Sequence, residues 1–233
     1  MRGESEEGMT EMASESKDCA EASRPGLVNA GQTIEDKSFN IIDAEMGPHE
    51  FQPDQWQIVR RIIHTTGDFD YARWVRFHPL SIDAAMKALR RGEKVITDTR
   101  MIHTGLSPWR LNWFGTRVIT PATDSASQLW AEQLGTTRSV AAFRKYSEQL
   151  EGSILAIGNA PTALLEILRL VKEEGIRPAV VIGVPVGFVQ AAESKDALWE
   201  HKEQPSITVL GRKGGSTVAV AILHALMELA RPE

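Results

Sequence analysis

The second half of the chain alternates short apolar segments with glycine-bearing turns and amphipathic helices. Predicted strands at residues 153–157, 178–182 and 207–210 are each followed by a glycine-bearing turn and then by apolar residues at helical spacing. Uninterrupted apolar strands that alternate with helices are typical of a parallel sheet whose two faces are both covered. We therefore predict an α/β fold, a three-layer α/β/α arrangement with a mainly parallel sheet.

The region before these units is predicted to be mainly helical. Apolar residues recur at helical spacing in 34–46 and 54–64, and another helix is expected to begin at Ser81 and to end before Gly92. The sequence thus predicts an N-terminal helical portion. Further strands are predicted at 95–97 and 118–120, and further helices at 124–134, at 138–150, after Pro161 to residue 174, near 192–201 and at 217–230.

Residues 1–26 differ in composition from the rest of the chain. They hold seven acidic and three basic residues, which accounts for most of the net charge of −5, and almost no large apolar side chains. Such a segment cannot bury enough apolar surface to offset its ordering entropy, so we predict a disordered acidic extension at 1–26 and one α/β domain at 27–233. The nearly neutral remainder argues against an extended nucleic-acid-binding surface.

Cysteine content and hydropathy indicate the cellular compartment of the protein. Cys19 is the only cysteine, so no disulfide can form within one chain. No apolar run reaches the roughly 18 residues that a membrane-spanning helix needs. These features predict a cytoplasmic protein that does not insert into a membrane.

Two segments are candidates for binding an anion, and the first of them lies at the carboxyl end of a strand, where ligands of parallel sheets bind. The turn at 211–216, Gly-Arg-Lys-Gly-Gly-Ser, combines a helix N-terminus with two cations but matches neither the phosphate loop nor the dinucleotide motif. A tight turn that requires glycine is the alternative. Arg138 and Ser139 open another predicted helix, and an arginine on a solvated face is the alternative there.

His64 is the candidate for proton transfer. It lies near the end of its predicted helix, three residues after Arg61 and therefore on a neighbouring part of the surface. Histidine exchanges protons near neutral pH, so it could give or take a proton at a bound anion. A histidine that only stabilises the helix end through the dipole is the alternative.

Metal and nucleophile motifs are not found. The sequence has no Gly-x-Ser-x-Gly elbow, and neither the His-x-x-x-His nor the Glu-x-x-His spacing of metal-binding helices. From pattern alone the chain is an anion-binding α/β protein, suited to a proton-assisted rearrangement or to simple binding. The residues considered for a metal site were His64, Asp68, Asp70, His78 and His103, of which the two aspartates are expected to stabilise a turn after Gly67.

Eight segments, in order along the chain, resemble the precorrin-8X methylmutase family. They include the runs Arg-Ile-Ile-His-Thr-Thr-Gly, Gly-Asn-Ala-Pro-Thr-Ala-Leu and Gly-Val-Pro-Val-Gly-Phe-Val. The similarity covers roughly residues 30–230. The segments lie at 38–45, 61–67, 96–101, 137–139, 156–164, 182–189, 192–195 and 211–216.

This resemblance implies an isomerase of cobalamin biosynthesis. The implied reaction is the 1,5-sigmatropic shift of a methyl group from ring carbon 11 to carbon 12, which turns precorrin-8X into hydrogenobyrinate or cobalt-precorrin-8 into cobyrinate. No redox or organic cofactor and no protein-bound metal is implied. The implied partners are the corrinoid tetrapyrrole substrate and product, whose acetate and propionate arms give a reason for arginines around the site, and a second copy of the chain in a homodimer.

The resemblance also implies roles for particular residues. His64 falls on the family's proton donor, and Ser38 and Arg61 fall on its substrate-binding serine and arginine. Arg138 and Ser139 match a segment expected to line the pocket. The glycine-bearing strand ends are expected to form the floor of the macrocycle site, with the proton supplied by His64 from outside them.

Two other functions remain open at this point. A non-catalytic tetrapyrrole-binding carrier on the same fold is the first. A carrier could have lost His64 and Arg61, so the presence of both residues favours the enzyme. A nucleotide-binding transferase is the second, weakened by the missing phosphate-loop motifs. The segment from His103 to Trp113 is rich in tryptophan, and Trp109 and Trp113 are expected near a loop that faces the pocket, where they could stack on a flat ring or simply belong to the core.

Overall fold

The computed structural model describes residues 25–232. The predicted disordered extension, apart from its last two residues, lies outside this range. The strands are β1 (Val75–Phe77), β2 (Val95–Thr97), β3 (Val118–Ile119), β4 (Ile154–Ile157), β5 (Val180–Gly183) and β6 (Ser206–Val209). The α-helices are α1 (Pro25–Met46), α2 (Pro53–Thr66), α3 (Tyr71–Trp74), α4 (Ser81–Arg90), α5 (Arg100–Gly105), α6 (Pro108–Asn112), α7 (Ser127–Leu134), α8 (Arg138–Lys145), α9 (Pro161–Glu173), α10 (Ala191–Glu200) and α11 (Ser216–Ala230).

The described residues divide into two compact units. The first ends at Ile41, inside α1, and the second begins at Ile42 and contains the sheet and α2 to α11. The domain boundary that the sequence places between residues 26 and 27 stays a prediction.

The strands of the second unit form one sheet with the order β1-β6-β5-β4-β2-β3. Every neighbouring pair from β6 to β3 is parallel, with Val95 opposite Ile154 and Ile154 opposite Val180. β4 and β5 are buried along their whole length, as expected for strands covered on both faces. The predicted α/β fold with a mainly parallel sheet is therefore confirmed.

Helices pack in two groups around this sheet. The apolar helix α11 contacts α2, α4 and α5 as well as β4 and β5. On the other side, α9 contacts α8, α10 and β4, around a buried cluster that includes Phe143, Leu155 and Ile167. In the described part of the chain, no helix is both long and apolar enough to cross a membrane.

Strand β1 and helices α5 and α6 differ from the sequence prediction. β1 was not predicted, and it pairs antiparallel with β6, with Val75 opposite Val209. The tryptophan-rich segment 103–113, to which the sequence analysis assigned no helix, contains the end of α5 and all of α6. The Thr99 side chain accepts a hydrogen bond from the backbone N–H of Ile102 at the start of α5, and Pro108 occupies the first turn of α6.

The tryptophans of this segment pack on one another. Trp109 and Trp113 meet edge to face with ring centroids 4.7 Å apart. Arg110 lies over the Trp109 ring at 4.3 Å, and Arg231 lies over the Trp113 ring at 4.8 Å. These contacts favour a structural role in the α6 region over stacking on a bound ring.

Candidate active site at the carboxyl edge of the sheet

The turns that follow β4, β5 and β6 are packed against one another. A Cβ atom built on Gly158 would lie 2.8 Å from Ser216 Cα, and one built on Gly214 would lie 2.2 Å from the Val184 carbonyl oxygen. The backbone N–H of Gly215 also donates to Val184 O at 2.8 Å. Glycine is therefore required here because the backbones approach too closely for side chains. The three turns therefore meet at one edge of the sheet, where the carboxyl ends of the parallel strands lie.

Asp98, which follows β2, accepts hydrogen bonds from the backbone N–H groups of the β4–α9 turn. Its carboxylate accepts from the backbone N–H groups of Gly158, Asn159 and Ala160 at 3.0, 2.8 and 2.7 Å. Burial raises the pKa of the Asp98 carboxyl, and these N–H donors act in the opposite direction. The N–H donors of this turn therefore already bind a carboxylate of the protein, and the role of the turn as part of the floor of the macrocycle site stays a prediction.

The two cationic side chains of the β6–α11 turn also contact other side chains of the protein. Lys213 donates to the carboxylates of Asp68 and Asp70, just after α2. Asp68 in turn accepts from the backbone N–H of Asp70 at 2.9 Å, as predicted for a turn. Arg212 lies over the Phe188 ring at 5.3 Å. The described residues contain no group of three or more histidine, cysteine or acidic residues that could hold a metal ion.

Lys195 binds the backbone of the β6–α11 turn through a hydrogen bond. Its side chain is fully buried, and its ammonium donates to the carbonyl oxygen of Lys213 at 2.7 Å. Burial lowers the pKa of Lys195 to about 8. The turn is thus anchored by a group whose charge is expensive to maintain in the interior.

Replacing Lys195 with methionine is expected to change the pH dependence of stability. The pKa of Lys195 is about 8 in the fold and 10.5 as its ordinary value, so between these pH values the unfolded chain binds more protons and wild-type stability rises with pH. Methionine lacks this rise. In urea denaturation, the free energy of unfolding of wild type minus that of Lys195→Met should be larger at pH 10 than at pH 7.

Lys172→Met, at an exposed position, is the matched control for the loss of a lysine. The Lys195 interpretation is contradicted if the difference between wild type and Lys195→Met is the same at both pH values.

Next to these turns, a cavity of about 360 Å³ opens between α2, α5 and α11. Arg61 and Thr65 of α2 line it, opposite Ser216 and Thr217 at the start of α11. A cavity of this size holds part of a large ligand and not a whole macrocycle with its arms. The lining residues are Arg61, Thr65, Met101, Thr104, Gly105, Ser216, Thr217, Val220, Ala221 and His224.

His64 lies in the last turn of α2, three residues beyond Arg61, with an exposed side chain. The helix ends at Gly67 in the left-handed conformation, with φ of 64°, and the Gly67 N–H donates to Ile63 O at 2.7 Å. Buried Ile58, Val59, Ile62 and Ile63 fix the opposite face of α2, which packs on α11. The helix therefore presents Arg61 at the cavity and His64 beside it on an accessible surface.

The other predicted site residues belong to different elements of the chain. Ser38 belongs to the first compact unit, where its hydroxyl donates to Ile34 O at 2.9 Å. Arg138 and Ser139 begin α8, after the Thr137 hydroxyl that accepts from the Val140 N–H. Neither is among the residues that line the cavity. The structure thus brings Arg61 and His64 to one place, and the substrate-binding roles of Ser38, Arg138 and Ser139 remain predictions.

Asp98 and His224 are parts of this region to which sequence reasoning assigned no function. The position of Asp98 directly after a strand was a usable signal, since side chains at that point reach the neighbouring turn. His224 lies within an apolar helix, where its sequence context is that of a core residue.

Comparisons with known proteins agree on one family. The family model described as precorrin-8X methylmutase matches residues 33–229. The cobalt-precorrin-8 methylmutase of Leptospira interrogans is 46% identical over 211 residues, covering 88% of this chain and 96% of that protein. That of Priestia megaterium is 47% identical over 199 residues, covering 85% and 88%. The crystal structure of precorrin-8x methyl mutase from Thermus thermophilus superposes with a TM-score of 0.80 at 45% identity, covering 85% of this chain and 96% of that one.

Proposed function

The chain belongs to the precorrin-8X methylmutase family, and from this membership we propose that His64 is the proton donor for its methyl shift. As a member it is an enzyme, an isomerase of cobalamin biosynthesis that acts on a tetrapyrrole. The proposed reaction moves the methyl group from ring carbon 11 to carbon 12 of precorrin-8X or cobalt-precorrin-8. The observation that carries the role of His64 is its place one helical turn beyond Arg61, which lines the cavity beside the glycine-bearing turns.

The chemistry follows from the electronics of a conjugated ring. A proton delivered to the macrocycle withdraws electron density from it, which eases migration of the methyl group with its bonding electrons to the adjacent carbon. The shift breaks one carbon–carbon bond and forms another within the same molecule. Because substrate and product are isomers, the proton leaves the ring again after the methyl group has moved, and no further reactant is consumed. The guanidinium of Arg61 would hold a carboxylate arm so that the ring stays in reach of His64.

The exposed apolar loop after β5 supports a homodimer as part of this proposal. Phe188 and Val189 are 83% and 79% exposed, and Val186 is 47% exposed. Gln190, the next residue, has a backbone φ of 59°, an uncommon value for a residue other than glycine. Exposed apolar side chains in one fixed loop are typical of a surface that another protein covers, and a second copy of this chain is the occupant we propose.

Sedimentation equilibrium of the purified chain tests the oligomeric state, and a monomer at micromolar concentration would contradict the dimer. A cytoplasmic location is also proposed, because the sequence has a single cysteine and gives no sign of dependence on disulfides. Cell fractionation tests that location.

Incubation with purified precorrin-8X tests the function. Appearance of the visible spectrum of hydrogenobyrinate, with product retained by the protein, supports the isomerase. A ring that binds and stays unchanged would indicate the carrier instead. Failure to bind the ring at all would remove both interpretations.

A further inference from the structure

His224 of α11 lines the same cavity and has a fixed hydrogen-bonding pattern. The backbone N–H of Ser107, at the start of α6, donates to His224 Nε2 at 3.0 Å. An amide N–H only donates, so Nε2 must carry the lone pair, and in the neutral ring the proton lies on Nδ1. Among the described residues His224 forms no other hydrogen bond. The Nδ1–H is thus the edge of the ring that remains for a ligand.

The His224 ring is neutral at physiological pH. Burial, together with the nearby charges of Arg110 and Arg61, lowers its pKa to about 4. A neutral imidazole of fixed tautomer donates a hydrogen bond but does not release a proton to its partner. His224 is therefore distinct in role from the exposed His64.

The cavity around His224 matches an anion on a short aliphatic stem. Arg61 supplies a guanidinium, and Thr65 and Thr217 supply hydroxyl groups. No acidic side chain is among the described residues that line it. Its apolar lining is formed by Met101, Gly105, Val220 and Ala221.

We propose that this cavity is the subsite for one carboxylate arm of the macrocycle, and that His224 Nδ1–H donates a hydrogen bond to that carboxylate. The inference rests on the proposed function, because the arm belongs to the corrinoid substrate. A carboxylate accepts from Arg61 and His224 at once. A carboxamide would turn an NH₂ group toward one of these donors, so the subsite selects a free acid at this arm.

Two substitutions separate ligand binding from the structural bond to Ser107. In His224→Asn the amide nitrogen falls near the position of Nδ1 and keeps the donor, while the acceptor for Ser107 is lost. In His224→Gln the amide oxygen falls near the position of Nε2 and keeps that acceptor, while the donor to the ligand is lost. The dissociation constant for hydrogenobyrinate is measured by visible absorption titration, and folding is followed by thermal denaturation.

The two variants are expected to show opposite patterns. His224→Gln should bind hydrogenobyrinate about 10- to 100-fold more weakly, as expected for the loss of a hydrogen bond to a charged group, with a melting temperature near that of wild type. His224→Asn should retain affinity within about 3-fold and melt at a lower temperature.

Equal affinities of wild type and His224→Gln would overturn the subsite, as would affinity losses in both variants that parallel their melting temperatures. If wild type itself fails to bind hydrogenobyrinate, the proposed function fails and the subsite with it. If wild type binds and only the predicted difference is missing, the subsite alone fails.

Discussion

Replacing His64 with alanine is expected to lower the rate of methyl migration by about 10²- to 10⁴-fold, the contribution that a positioned general acid typically makes. Affinity for hydrogenobyrinate should change little, because the cavity that holds the carboxylate arm is lined by Arg61 and not by His64. Single-turnover absorption measurements with precorrin-8X separate the two quantities. Added imidazole should restore part of the rate, since it replaces the missing acid and not a structural contact.

His78→Ala is the matched control for loss of an imidazole. The His78 ring lies away from the carboxyl edge of the parallel strands. Its Nε2 atom is 2.9 Å from the Lys202 carbonyl oxygen. The His78→Ala variant should therefore retain normal turnover. Near-normal turnover of His64→Ala would exclude His64 as the proton donor.

Replacing Asp98 with alanine is expected to lower the free energy of unfolding by about 3 kcal/mol or more. The change leaves the buried N–H group of Gly158 and the partly buried N–H groups of Asn159 and Ala160 without their carboxylate. A buried donor without a partner costs about 1–3 kcal/mol. Asp98→Asn should have a smaller effect, because its amide oxygen still accepts while its NH₂ group faces other donors. Urea denaturation measures all of these values.

Asp83→Ala provides the comparison at an exposed aspartate. Asp83 is exposed and forms an i,i+4 ion pair with Lys87 at 2.7 Å, so its loss should change the free energy of unfolding by about 0.5 kcal/mol or less. If Asp98→Ala is as stable as Asp83→Ala, the carboxylate does not hold the turn.

The parallel core of the fold could be predicted because its signal is local. Each buried strand of the second half is a short apolar run that ends in a glycine-bearing turn, and all three such strands were found near their true bounds. β1 has no such turn, and only Val75 of its three residues is buried. Its place in the sheet depends on pairing with β6, more than a hundred residues later, and that pairing has no trace in the local sequence.

The short helices were missed for a related reason. α5 and α6 have six and five residues, too few for a periodic pattern to emerge. Their starts are set by Thr99 and Pro108, which are equally compatible with a loop. Helical periodicity therefore assigned no element to this segment, where capping decides the conformation.

The candidate site was predictable only in part. Helical spacing placed Arg61 and His64 on neighbouring surface, and the structure shows Arg61 at a cavity. Spacing could not show that Asp98 fills the β4–α9 turn or that Lys213 pairs with Asp68 and Asp70, because these contacts join residues 60 and about 145 positions apart. His224 was not singled out because one polar residue in an apolar helix does not reveal its hydrogen-bond partner.

The position of α11 has a consequence for how the protein is made. This helix contacts α2, α4 and α5 and also two central strands, yet it follows all of them in the chain. During synthesis the earlier helices leave the ribosome before α11 exists, so the surfaces of α2, α4, β4 and β5 that contact α11 stay exposed until residues 216–230 have emerged. Interactions of such long range form late, and the nascent chain exposes apolar surface throughout that interval, the kind of surface that favours aggregation.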